Sequence, residues 1–156
     1  MIKKKIFNFC LFLFPFFVFG STFEFQGQHL IASYSECNHA ALTDLHGLEE
    51  AMKEGVVAAG ATILNSVSYV FPPNGLTMVI LLSESHASIH TYPEYNACFV
   101  DLFTCGHKCQ LEKFDQVLRS YLQPEQVSKK ILQRDSDIEE RLCERNINVS
   151  GPPGCR

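Results

Sequence analysis

The chain has 156 residues, a formal charge of −4, a sequence pI near 5.8, 46% hydrophobic and 19% charged residues. That length supplies one domain with a buried core, and the acidic balance excludes the basic stripe expected of a nucleic-acid binder. Composition alone leaves a small enzyme or a binding domain.

The first segment reads as an export signal. Lys3, Lys4 and Lys5 precede an almost unbroken apolar run over residues 6–19, and Val18 with Gly20 fits the small or aliphatic pair preferred ahead of signal-peptidase cleavage. Residues 1–20 are therefore predicted to be a signal peptide, too short to sit comfortably across a bilayer. An uncleaved anchor and a misread start are the alternatives, the latter giving a cytoplasmic protein. Seven cysteines follow the same logic. Loss of Cys10 with the leader leaves Cys37, Cys98, Cys105, Cys109, Cys143 and Cys155, which in an exported chain suggests disulfides and otherwise small buried side chains or free thiols. Cys105, His107 and Cys109 resemble half of a zinc site, but no second Cys/His pair accompanies them, so no metal is expected.

In chain order, residues 28–34 (QHLIASY) read as a first strand. Leu42, Leu45, Leu48, Met52, Val56 and Ala59 recur at three or four residues, which predicts an amphipathic helix over 42–59 stopped by Gly60. Residues 62–71 are rich in β-formers, and Pro72-Pro73-Asn74-Gly75 is a turn. Residues 76–82 form an apolar strand expected to be buried on both faces. A strand over 86–92 ends at Pro93, and another covers 97–104. A second helix spans 111–122, and a weaker strand or helix covers 126–132. The polar tail 135–156, with its Gly-Pro-Pro-Gly, is expected to be loosely ordered. The fold class is α+β: a two-layer sandwich with a mainly antiparallel sheet and two helices on one face. The other sheet face then needs a cover, and a second subunit is the economical one. The domain occupies residues 26–134.

The chemistry concentrates in Glu84-Ser85-His86, His90, Glu94 and Cys105, all within 22 residues at strand ends. A serine, a histidine and a carboxylate suggest a hydrolase triad, but no Gly-x-Ser-x-Gly elbow surrounds Ser85. By spacing alone, ordinary polar residues at strand ends are the better explanation of the cluster.

The stretch from Ser83 to Tyr95 (SESHASIHTYPEY), followed by Asp101-Leu-Phe-Thr-Cys-Gly106, closely resembles the bacterial S-adenosylmethionine decarboxylase proenzymes. The likeness extends from Gly27-Gln28-His29-Leu30 through Gly60-Ala61-Thr62. It implies a serinolysis: Ser85 attacks the carbonyl of Glu84, the chain separates between them, and residue 85 becomes a pyruvoyl group. A β chain would end at Glu84 and an α chain would begin at residue 85. The resemblance makes the pyruvoyl group the Schiff-base cofactor, with no PLP and no metal. It assigns His90 to processing, Thr77 to polarising the reacting carbonyl, and Cys105 to returning a proton to the substrate carbon. Phe71 would stack on adenine and Glu94 would bind the ribose hydroxyls. The implied product is the aminopropyl donor for spermidine synthesis. Without the resemblance, Phe71, Thr77 and Glu94 read as a core Phe, a strand Thr and a surface Glu.

Strand geometry adds an expectation about assembly. Thr77 lies eight residues before Ser85, up to about 26 Å along an extended strand, and Ser85 and His90 differ by an odd number, which places them on opposite faces. A homodimer of processed units resolves this, with Ser85 and Cys105 from one subunit and Phe71, Thr77, His90 and Glu94 from the other. The sequence departs from the family pattern at Gln28, Tyr69, Tyr92 and Asn96. Tyr92 and Asn96 keep open a pyruvoyl decarboxylase of arginine or ornithine. The leader and thiols keep open an exported, non-enzymatic binding relative.

Overall fold

The computed structural model describes residues 26–106 and 108–134. The leader, His107 and the tail from residue 135 lie outside the described residues. Six strands and three helices follow in the order β1 (Gly27–Ser35), α1 (His39–Thr43), α2 (Leu45–Ala58), β2 (Ile63–Phe71), β3 (Gly75–Leu82), β4 (Ser85–Tyr92), β5 (Ala97–Cys105), α3 (Leu111–Leu122) and β6 (Gln126–Arg134). The strands make one sheet in the order β2-β3-β4-β5-β1-β6, and every adjacent pair is antiparallel. This is the α+β sheet-and-helix architecture that the element pattern predicts. The ambiguous 126–132 segment is a strand, pairing with β1 along its whole length.

Two expectations are corrected. The helix predicted over 42–59 is two helices, because Asp44 leaves the helical region (φ −79°, ψ 84°) and ends one while capping the next. Its carboxylate accepts from the Gly47 amide at 3.1 Å, a role for which a short polar side chain at a helix start is favoured. The apolar spacing runs unbroken through the junction because both helices lie on the same core. Asn38 caps the first by accepting from the Ala40 and Ala41 amides. The second correction concerns β3, which is buried on one face only. Leu76, Met78, Ile80 and Leu82 are 3% exposed or less, whereas Val79 and Leu81 are 39% and 52% exposed.

The core lies between the sheet and α2 with α3. On α3, Leu111, Phe114, Leu118 and Leu122 are buried at helical spacing and face Leu48, Met52 and Val56 of α2. The helices approach closely at Gly55, where an added Cβ would stand 2.8 Å from the Phe114 ring.

Among the described residues one carboxylate is carried inside this layer. Asp115 is 1% exposed, accepts from the Tyr34 hydroxyl at 2.6 Å and from Lys129 at 2.7 Å, and so ties α3 to β1 and β6. Asp115→Ala should lower stability by about 3–5 kcal/mol, because it strands the buried phenol and removes the buried one of the two carboxylates that pair with Lys129; urea unfolding monitored by circular dichroism measures it. Burial, together with the hydrogen bond to Asp115 and its negative charge, raises the Tyr34 pKa far above 10. In alkali the unfolded chain loses that phenolic proton while the folded chain keeps it. Stability is thus full below pH ~10 and falls above it, and Tyr34→Phe should flatten that alkaline limb.

Candidate functional site

The alternation that buries one sheet face turns a second set of side chains outward. On β4, Ala87, Ile89 and Thr91 face the helices, while His86, Ser88, His90 and Tyr92 occupy the alternate positions. On β5 the alternate set is Phe99, Asp101, Phe103 and Cys105. Two groups of candidate residues lie at opposite ends of β4: one on this open face around His90, the other around the turn before Ser85, whose ladder partner Thr104 is buried.

The first group surrounds the β3–β4 turn. Ser83 and Glu84 connect the strands, and the Ser83 amide donates to the Thr62 carbonyl at 3.0 Å. The Glu84 carboxylate accepts from the Thr62 amide at 2.9 Å and the Thr62 hydroxyl at 3.3 Å. Partial burial opposes its ionisation, but the hydrogen bonds from Thr62, Ser83 and its own amide outweigh burial and hold the carboxyl below the usual range. The backbone carbonyl of Glu84 accepts from the Cys105 amide at 2.9 Å. Ser85 Oγ lies 3.0 Å from His86 Nδ1, and Ser85 pairs across the ladder with Thr104. The Cys105 thiol is free and exposed at the end of β5. Ser85, Glu84 and Cys105 are therefore neighbours in one chain.

The second group lies at the other end. Thr77 and His90 are direct ladder partners, and Thr77 Oγ1 is 2.6 Å from His90 Nδ1. The Phe71 ring stacks on His90, with centroids 5.2 Å apart and planes 16° from parallel. Gly75 permits this placement, because the Phe71 ring occupies the space into which a Cβ would project. Tyr92 meets the His90 edge at 4.7 Å and Phe99 at 5.5 Å. Glu94 is exposed in the 3-10 turn Pro93–Tyr95 that follows β4.

Five residues of strand separate Ser85 from His90, about 16 Å. The chain thus brings Phe71, Thr77 and His90 together, and separately Glu84, Ser85 and Cys105. It does not join the two groups within one protomer.

Sequence reasoning missed a third set beside the turn. Phe103 takes the Arg134 guanidinium over its ring at 4.2 Å, with His29 and His86 tilted against it at 5.5 and 5.8 Å. Asp101 lies 3.5 Å from His29 Nε2 and accepts from Ser88 Oγ at 3.2 Å. Burial lowers the His29 pKa despite Asp101, and Arg134 and His86 act in the same direction as burial. The signal was the outward parity of β1 and β5, legible only once their register is known. The departure at Asn96 has a local reason: Asn96 is left-handed (φ 49°), which asparagine tolerates, and its side chain bonds His39 at 2.9 Å. Among the described residues no group of three or more His, Cys, Asp or Glu side chains is placed to hold a metal ion.

Comparison with known proteins identifies the family and the fold. A family model described as S-adenosylmethionine decarboxylase matches residues 28–135. An S-adenosylmethionine decarboxylase proenzyme of Thermosipho melanesiensis is 41% identical over 101 residues, which are 65% of this chain and 78% of that protein. One from Prochlorococcus marinus is 39% identical over 112 residues, 72% of this chain and 92% of that protein. The crystal structure of the Aquifex aeolicus adenosylmethionine decarboxylase superposes with a TM-score of 0.66 at 30% identity, covering 72% of this chain and 93% of that one. The chain belongs to the S-adenosylmethionine decarboxylase family.

Proposed function

We propose that this chain is a proenzyme that cuts itself between Glu84 and Ser85 and then decarboxylates S-adenosylmethionine. The observation that carries the reading is the state of the bond to be cut. The Glu84 carbonyl is already polarised by the Cys105 amide at 2.9 Å, and the adjacent Ser85 hydroxyl is hydrogen-bonded to His86. Such a donor stabilises the charge that develops on a carbonyl oxygen under attack, and an imidazole beside the hydroxyl can take its proton.

Ser85 Oγ loses its proton and bonds the Glu84 carbonyl carbon, the C–N bond to residue 85 breaks, and that nitrogen takes up a proton. Loss of the residue 85 Cα proton with cleavage of its Cβ–Oγ bond releases Glu84 as the carboxylate end of the upstream chain. Water replaces the nitrogen on the remaining dehydroalanine, releasing ammonia and leaving a ketone. The residues present fit the group so formed, since Ser85 is half-buried at a strand start with the free Cys105 thiol next to it in the ladder. A pyruvoyl ketone supplies the electron sink that no ordinary side chain offers to a decarboxylation. In this reading Cys105 carries the proton returned to substrate, Phe71 and Glu94 bind the nucleoside, and Thr77 and His90 act on the reacting carbonyl and proton. The relatives described above share one name, which gives no support to the arginine, ornithine or purely binding alternatives.

The same reading requires two copies. Val67, Tyr69, Val79, Leu81 and Phe99, all 39–69% exposed, make the sheet's open face more apolar than a solvated face needs to be. A second copy laid on it would cover those side chains and bring the Ser85 group of one protomer to the His90 group of the other.

Intact mass of the purified protein tests the chemistry: two chains divided between residues 84 and 85, with a pyruvoyl mass at the start of the second, are expected. Release of labelled CO2 from S-adenosylmethionine, with none from arginine or ornithine, is the expected result for the substrate. An uncut chain overturns the reading.

A further inference from the structure

Cys37 and Cys98 take no part in the site described above. Both are in the hydrophobic core, at 5% and 1% exposure. The β1–β5 ladder explains why they meet. Tyr34 is the direct partner of Cys98. Glu36 then takes a left-handed turn (φ 55°), and the Cys37 amide donates to the Asn96 carbonyl at 2.8 Å. Cys37 is thereby held beside the first residues of β5, and both thiols are free and buried in the same core cluster. Adjoining antiparallel segments lie about 5 Å apart, within the Cα separation that a disulfide spans.

We propose that Cys37 and Cys98 form a disulfide, and that this bond tethers the two products of self-cleavage. Cys37 lies upstream of the Glu84–Ser85 bond and Cys98 downstream, so the link would join the β chain to the α chain after the backbone is cut. The second half of the inference rests on the self-cleavage reading; the first does not. The chemistry is thiol–disulfide exchange with a small-molecule disulfide such as oxidised glutathione. One cysteine thiolate attacks a sulfur of that disulfide and displaces one thiol, giving a mixed disulfide. The second cysteine thiolate attacks the protein sulfur and displaces the other thiol. Two protons leave the cysteines, two electrons pass to the reagent, and one S–S bond replaces two S–H bonds. Because both sulfurs end buried, pairing belongs to folding rather than to the finished fold. The leader predicted for residues 1–20 would deliver the unfolded chain to the kind of compartment where such bonds persist.

The test is the full chain folded in a reduced/oxidised glutathione buffer, alkylated, and run on denaturing gels with and without reductant. The expected pattern is two bands with reductant and one without, and a Cys37–Cys98 linked peptide on mass mapping. Cys98→Ala should give two bands in both lanes. A single band with reductant refutes self-cleavage and leaves the disulfide to be read from the peptide map. Two bands without reductant, with Cys37 and Cys98 both alkylated after unfolding, overturn the disulfide. So does a map that links either cysteine to a different partner.

Discussion

Replacing Ser85 with alanine should leave the chain uncut and abolish CO2 release from S-adenosylmethionine. Alanine has no oxygen to attack the Glu84 carbonyl and no group to eliminate, so neither the division of the chain nor the ketone can follow. The expected loss is the whole enhancement, about 10⁶-fold or more. Folding should survive, because Ser85 is only half-buried and its side-chain hydrogen bond is to the neighbouring His86. The readouts are therefore independent: an uncut mass, an unchanged melting temperature and no activity. Ser85→Ala protein that still divides at this bond would remove serine chemistry from the reading. Glu84→Ala gives a graded control. It removes the carboxylate bonds that pin the turn to Thr62 but keeps the scissile carbonyl and its Cys105 donor, so cleavage should slow without stopping.

Much of the fold was legible in local pattern. The α3 boundaries fall where Leu111, Phe114, Leu118 and Leu122 place them, and the five strands with strong apolar content lie within a residue of their expected limits. What pattern could not show was sidedness and interruption. Continuous apolar content in β3 hid the difference between Ile80, which meets the helices, and Leu81, which does not. Apolar spacing over 42–59 hid Asp44, whose cap bond to Gly47 is a local polar effect that a hydrophobic repeat does not record. The site divides in the same way. The motif pointed to Ser85, His90 and Cys105, but the Thr77–His90 contact and the Cys105 amide on the Glu84 carbonyl follow from ladder register. The group around Phe103 draws on β1, β4, β5 and β6 at once, so it is a property of strand order, which a linear pattern does not encode.

The separation of the two groups along β4 makes its own prediction. Ser85→Ala and His90→Ala should each be inactive alone, yet co-expressed they should recover activity. If Ser85 of one protomer works with His90 of the other, a mixed dimer holds one site with both replacements and one with neither. Half of the dimers from equal, random pairing are mixed, and each has one intact site of two, so about one quarter of the normal activity is expected. Purification through a different tag on each chain isolates the mixed dimer, where the fraction rises to about one half. Mass analysis should then show that only the His90→Ala chains have been cut, since those alone carry Ser85. A site contained within one protomer gives a different result: every combination stays inactive, because no chain carries both Ser85 and His90. The two architectures are thus separated by recovery against none, and by which of the two chains is cleaved.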